Sequence, residues 1–326
     1  MRAIVQDRYG PPETLTLAEV DVPVPTAGEV LVRVEAASVN AYDWHVMRGD
    51  PRVARLALGV SRPRARIRGR DFAGRVETVG ADVRGVRPGD AVFGDLGDAD
   101  GAFAEYVCAP ATRVAPKPAN LTPQQAAALP LAGSTALVGL CDAGRVGPGH
   151  RVLVNGAAGG VGTLAVQLAR ALGATVTGVC STRNVELVRS LGADHVVDYT
   201  RADFTRGPRH DVVFDLVGNR SLTALRRALT PTGTLVLSGG GGYHGGSLLG
   251  PVRLLLRGRL LAPLVRHRIL TPTAAPGREQ LDTLRAHAEA GRLTPVVDRT
   301  YPLHEAPRAI AHLEGGHARA KVVVTI

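Results

Sequence analysis

A glycine-rich turn set between two apolar runs constrains this chain more than any other feature. Val152-Leu153-Val154 leads into Gly156-Ala157-Ala158-Gly159-Gly160-Val161-Gly162, a segment of helical period follows, and Thr175-Val176-Thr177-Gly178-Val179 closes the unit. The order reads strand, tight turn, helix, strand, with the turn opening directly onto the helix N-terminus. Unpaired backbone N–H groups and the positive end of the helix dipole converge there, so a pyrophosphate binds without any basic side chain. Gly159 lets the backbone approach the phosphates, and Gly162 lets the helix pack on the strand. Ala157 replaces the usual first glycine, so the context of the turn carries the reading more than its spacing does.

The far end of the unit bears on the choice of dinucleotide. NAD-binding units place an acidic residue after the second strand, where it accepts hydrogen bonds from the adenosine ribose. Nineteen residues after Gly162 this chain has Ser181, followed by Thr182 and Arg183. No carboxylate there repels a 2′-phosphate, and two hydroxyls and a guanidinium can bind one. The expected cofactor is NADPH. Arg183 is also readable as an ordinary solvated arginine at a helix start.

Further strands are expected at 195–199, 211–215 and 233–238, alternating with helices, so this part reads as a doubly wound parallel sheet. Its ligand belongs beyond the strand C-termini, which places Val217, Gly218, Ser238, Gly239 and Gly240 along the nicotinamide half. The first hundred or so residues instead alternate short β-like runs with Gly and Pro, as in Glu29–Val34, Gly74–Val79 and Asp90–Phe93, and predict a β-rich domain. Helices are expected around 119–129, with Asn120 or Thr122 as cap, and over 134–143, ending at Gly144. Ser247–Leu270 reads as a leucine- and arginine-rich pocket cover or subunit contact, broken at Pro251, Gly258 and Pro263. A helix near 278–290 precedes a β-like tail that returns to the N-terminal domain.

Bulk properties exclude several classes. With 326 residues and 45% hydrophobic content the chain can build two cores. No apolar run approaches the roughly 20 residues that span a bilayer. The first residues already read as a strand, so no signal peptide and a cytoplasmic location are expected. Cys108, Cys141 and Cys180 are too scattered for a disulfide framework or a zinc spacing. The net charge of +10 is almost all arginine, since Lys117 and Lys321 are the only lysines. The arginines are scattered, which makes nucleic acid an unfavoured partner and leaves an acidic carrier protein open.

Six segments carry a family resemblance: Ser38-Val39-Asn40-Ala41-Tyr42-Asp43, Gly69-Arg70-Asp71-Phe72-Ala73-Gly74, Gly101-Ala102-Phe103-Ala104-Glu105-Tyr106, residues 129–136, the glycine turn, and His317-Ala318-Arg319-Ala320-Lys321. They span nearly the whole chain. In these the chain resembles a zinc-independent medium-chain dehydrogenase/reductase of the quinone oxidoreductase type, near the reticulon-4-interacting-protein-like branch. The resemblance implies an α/β protein. It has a GroES-like β-rich catalytic domain (1–121 and 274–326), a Rossmann NADPH-binding domain (122–273), and a homodimer.

Zinc enzymes of this family have a cysteine where this chain has Asn40 and a histidine where it has Arg70, so no metal site is expected. Conjugate reduction of a quinone or an α,β-unsaturated carbonyl suits such a site, because the developing enolate oxygen needs only hydrogen-bond donors. Tyr42 and His45 align with a substrate-touching hydroxyl and its proton relay; the alternative makes them a pocket wall and a surface histidine. Asp50-Pro51 stands where some enoyl reductases have an acidic tyrosine.

By the same resemblance Asn40, Thr135 and Lys321 belong near the nicotinamide and Ala158, Gly159, Gly160 and Val161 at the pyrophosphate. Ser181, Arg183 and Tyr199 belong at the adenosine phosphate. Asp43 is expected to order local backbone, and Asp71 and Glu105 to hold the catalytic domain together. Two other readings stay open: an enoyl reductase or tailoring enzyme for carrier-bound or polycyclic intermediates, and an NADPH-bound structural or nucleic-acid-binding protein.

Overall fold

The computed structural model describes residues 1–239, 245–250, 252–316 and 318–326. The chain divides into two compact units, 1–134 with 243–248 and 275–326, and 135–242 with 249–274.

In chain order the first unit begins with a hairpin-like pair, β1 (Arg2–Gln6) and β2 (Leu15–Glu19), followed by the long β3 (Glu29–Val39). Then come α1 (Ala41–Arg48), the short α2 (Arg55–Leu58), β4 (Asp71–Val79), β5 (Ala91–Asp95), β6 (Tyr106–Pro110), β7 (Val114–Pro116) and α3 (Pro123–Ala127). The Thr122 hydroxyl accepts from the Gln125 N–H, so Thr122 rather than Asn120 caps α3. That helix packs on β3 and β4 within the first unit.

Beyond it lies α4 (Pro130–Leu137), which widens into π-type turns over Val138–Ala143 and stops at Gly144. The βαβ unit follows as β8 (Arg151–Asn155), α5 (Gly160–Ala171) and β9 (Thr175–Cys180). After it run α6 (Val185–Ser190), β10 (His195–Asp198), β11 (His210–Asp215), α7 (Leu222–Arg227), β12 (Leu229–Leu237), α8 (Val252–Leu261) and β13 (Arg268–Leu270). All six strands are parallel in the order β10-β9-β8-β11-β12-β13, the doubly wound arrangement of a dinucleotide-binding sheet. Helices cover such sheets on both faces, so their strands are continuously apolar: Val152, Leu153 and Val154 are fully buried.

Two features of this unit depart from expectation. Gly258 does not break the helix; it sits inside α8, where a Cβ would lie 2.8 Å from Leu237 Cδ1, so the glycine lets the helix approach the sheet. The sixth strand, β13, is only three residues long and is defined by its pairing with β12 rather than by any pattern.

The chain then returns to the first unit with α9 (Arg278–Glu289), β14 (Val297–Pro302), α10 (Ala306–Glu314) and β15 (Lys321–Thr325). The β-like tail is thus interrupted by a helix. β15 pairs antiparallel with β3, closing a seven-stranded sheet ordered β14-β15-β3-β4-β5-β7, with β6 also on β3. Its core includes Val32, Val34, Phe72, Phe103, Ile310 and Val322.

Candidate functional site

In the first unit the polar groups gather where β3, β4 and β15 run side by side. Ser38 pairs with Asp71 and Val322 with Val39, so Asn40, Asp71 and Lys321 come together from sequence-distant positions. Lys321 Nζ donates to Asn40 Oδ1 at 2.6 Å and to the Val39 carbonyl at 3.2 Å, and lies 3.9 Å from Asp71 Oδ2. Asn40 Nδ2 donates to Asp71 Oδ2 at 3.0 Å, the Ser38 hydroxyl to the same oxygen at 3.2 Å, and the Leu131 N–H to Asp71 Oδ1 at 3.1 Å. Burial pushes the Asp71 carboxyl up, with Lys321 opposing, and burial pulls the Lys321 ammonium down against the pull of Asp71. Asp43 accepts the Asn40 N–H at 2.6 Å and fixes the start of α1; its burial raises its pKa to about 6.

Beside this network Arg70 is 8% exposed. It grips Asp95 with two hydrogen bonds of 3.2 and 3.0 Å and lies over the Tyr42 ring, its guanidinium carbon 4.5 Å from the centroid. Burial alone would lower the Arg70 pKa, but the Asp95 carboxylate and its hydrogen bonds more than reverse that, so the charge is permanent. The Tyr42 hydroxyl donates to Asp98 Oδ1 at 3.4 Å, and burial followed by Asp100 and Asp98 raises its pKa far above that of a free phenol. His45 stacks on Trp44 and bonds the Asp50 carbonyl through Nδ1 at 2.7 Å, while burial lowers its pKa.

In the second unit β8 ends at Asn155, and Gly156 turns the chain at φ +90°, a region that favours glycine. A Cβ on Gly162 would stand 2.0 Å from the Gly156 carbonyl oxygen, so no side chain fits there. Gly159 occupies the N-cap of α5 and no side chain caps this terminus, which leaves the first N–H groups facing outward. Ala158 is buried and Gly159, Gly160 and Val161 are half-buried, as an anion cradle made of backbone requires.

Val217 leans on Gly156, and Ser238 and Gly239 follow the end of β12. Gly240 lies outside the described residues. At the other end of the unit the Ser181 hydroxyl accepts from Asn184 Nδ2 at 3.2 Å, Arg183 is exposed, and Tyr199 is 47% exposed. Thr135 is half-buried on α4.

Two family models match this chain. The alcohol dehydrogenase GroES-like domain matches residues 26–119 and the zinc-binding dehydrogenase domain matches residues 191–324. The quinone-oxidoreductase QR1 of Triphysaria versicolor, a chloroplastic protein, is 32% identical over 336 residues, covering 99% of this chain and 98% of that protein. The chain belongs to the medium-chain dehydrogenase/reductase family. It is an oxidoreductase of the quinone oxidoreductase type. The mitochondrial NAD(P)H oxidoreductase RTN4IP1 of Mus musculus is 33% identical over 363 residues, covering 100% of this chain and 89% of that protein. The Escherichia coli quinone oxidoreductase complexed with NADPH superposes with a TM-score of 0.85 at 26% identity, each chain covered completely. These likenesses make the cofactor a nicotinamide dinucleotide. No helix among the described residues is long and apolar enough to cross a membrane.

Several of the expected site residues have partners within the protein. Tyr42 and His45 share α1, with the tyrosine bonded to Asp98 and the histidine to the Asp50 carbonyl. Lys321 is 2% exposed, and its ammonium holds Asn40 Oδ1 and the Val39 carbonyl. The Thr182 hydroxyl donates to Asp198 Oδ2 at 2.5 Å, so its proton is taken by the carboxylate that ends β10.

Asp43 and Asp71 take the ordering roles expected of them, and Glu105 pairs with Arg2 at 2.8 Å. Sequence reasoning weighed Arg70 only as a failed zinc ligand and missed it as a fixed cation. The adjacent Gly69-Arg70-Asp71 triplet was the available signal. Asp198 was missed because its carboxylate reaches Thr182 from the neighbouring strand.

Proposed function

We propose that this chain is an NADPH-dependent reductase that works without a metal and delivers hydride to a quinone or an α,β-unsaturated carbonyl compound. The observation that carries this reading is the state of the two positions that hold zinc in metal-dependent relatives. Asn40 is an amide committed to Asp71 and Lys321, and Arg70 is a cation committed to Asp95, so neither offers a lone pair to a metal.

Bound NADPH supplies the hydride. The backbone of Ala158, Gly159, Gly160 and Val161 would hold its pyrophosphate, Ser181, Arg183 and Tyr199 its adenosine phosphate, and Val217, Ser238 and Gly239 the nicotinamide half; the resemblance adds Asn40 and Thr135 to that half. Reduction at the β-carbon or quinone ring puts negative charge on the acceptor oxygen. Tyr42 exchanges its long bond to exposed Asp98 for one to that oxygen, and the Arg70 charge over the ring stabilises it. Because burial keeps Tyr42 a very weak acid, it acts as hydrogen-bond donor, and solvent supplies the proton that completes the reduction, at the α-carbon of an enone or at an oxygen of a quinone. The protein works as a homodimer in this reading.

The test is NADPH oxidation against a panel of quinones, enones and enoyl thioesters after exhaustive chelation. Turnover with quinones or enones at an undiminished rate is the expected result. Activity that returns only with added zinc, or no oxidation with any acceptor, overturns the reading.

A further inference from the structure

The strand N-termini of the Rossmann-type sheet, at the opposite end from the glycine turn, carry a second concave surface. A cavity of about 420 Å³ there is lined by Arg209, Arg226, Arg227 and Arg266, together with His267 and Leu229. Arg209 precedes β11, Leu229 opens β12, and Arg266 and His267 precede β13, while Arg226 and Arg227 form the last turn of α7. The glycine turn instead follows the C-terminal end of β8, so the two sites occupy opposite edges of one parallel sheet.

Several other arginines of this unit meet carboxylates: Arg189 meets Glu186, Arg201 meets Asp198, and Arg206 and Arg220 meet Asp203. Among the described residues the four cavity arginines form no ion pair, and no Asp or Glu lines the cavity. Asp211, two residues beyond Arg209, is taken by Arg151, whose N–H and Nε approach it at 2.9 and 3.6 Å. His267 adds no charge: its Nδ1 accepts from Arg226 Nε at 3.2 Å, and partial burial, then Arg226 and Arg209, hold its pKa down. It therefore orients the Arg226 fork.

Four guanidinium groups outweigh the roughly half negative charge at the C-terminus of α7. Their planar donors match phosphoryl oxygens, and their number matches adjacent phosphoryl groups better than a single carboxylate. We propose that this cavity binds a phosphorylated ligand through the forks of Arg209, Arg226, Arg227 and Arg266, at a site separate from the dinucleotide.

Inorganic pyrophosphate is the probe, titrated calorimetrically into the whole protein held in excess NADP⁺ so that the glycine turn is filled. Saturable binding is expected. The variant Arg226→Gln/Arg266→Gln weakens it by about tenfold or more, as loss of two charged forks should. Arg209→Gln, at an exposed position without recorded bonds, weakens it without touching the Arg226–His267 contact. Arg257→Gln, which removes one exposed charge on α8, leaves it unchanged, and the KM for NADPH stays constant in all three variants. Absence of saturable binding, displacement of NADP⁺ by pyrophosphate, or equal weakening by Arg257→Gln overturns the proposal. Sedimentation with phosphatidylcholine vesicles carrying phosphatidic acid separates the sources. Variant-sensitive co-sedimentation assigns a lipid headgroup, and its absence assigns a soluble ligand.

Discussion

The two units place positive charge with opposite materials. The GroES-like unit uses buried charged side chains, Arg70 on Asp95 and Lys321 on Asn40 and Asp71, each saturated by partners from other strands. The Rossmann unit uses almost no side chain at its glycine turn, only backbone N–H groups at an uncapped helix end. A saturated ionic network has paid its desolvation cost in advance, so it fails when a partner is taken away. A backbone cradle depends on empty space and fails when an atom is added. Subtraction harms one unit and addition the other.

Four measurements can break that comparison, beginning with the largest effect. Asp95→Ala leaves the Arg70 charge buried without its carboxylate and should cost about 3–5 kcal/mol of stability in urea unfolding; a loss of only a few tenths would show that the pair is not saturated as described. Gly162→Ala forces a Cβ onto a backbone carbonyl that cannot move aside, and should cost about 3 kcal/mol with a raised KM for NADPH. Normal stability and KM in that variant would remove the addition half of the contrast.

Third, the Asp43 pKa of about 6 in the fold exceeds the ordinary 3.8, so the folded state takes up this proton first. Between about pH 4 and 6 stability contributed by this group therefore rises as pH falls. Asp43→Asn removes that gain, and the difference between wild type and variant should change across the window by on the order of 2 kcal/mol. Parallel stability curves would mean that Asp43 is not a strained buried acid. Last, Arg183→Ala should raise the KM for NADPH about tenfold, roughly 1.4 kcal/mol, and leave that for NADH nearly alone. Thr182→Val should matter less, its hydroxyl being bound to Asp198. Equal losses with both dinucleotides would withdraw the phosphate assignment.

How much was legible beforehand followed the range of the interactions. The strands at 152–154 and 211–215 announce themselves because strands buried on both faces must be apolar throughout, and the glycine turn announces itself because its chemistry is local. Gly258 misled because a glycine inside a helix looks like a break until Leu237 is known to press against it. The strand at Arg268–Leu270 is too short to show a period. The Tyr42–His45 relay is what the family resemblance implies; the partners the two side chains take, Asp98 and the Asp50 carbonyl, both lie outside the helix and leave no trace in its pattern.

By itself the sequence determined the doubly wound unit, the nicotinamide dinucleotide and the replacement of zinc ligands at positions 40 and 70, because each rests on residues close in the chain or on residue identity alone. Only the tertiary structure decided what those replacements do. Sheet register carries Lys321 to Asn40 and Asp95 to Arg70, and strand adjacency carries Asp198 to Thr182. Parallel strands likewise set four arginines, without ion pairs among the described residues, around one cavity at the sheet edge away from the turn. A charge's partner is fixed by distance in space, and no pattern along the chain records that distance.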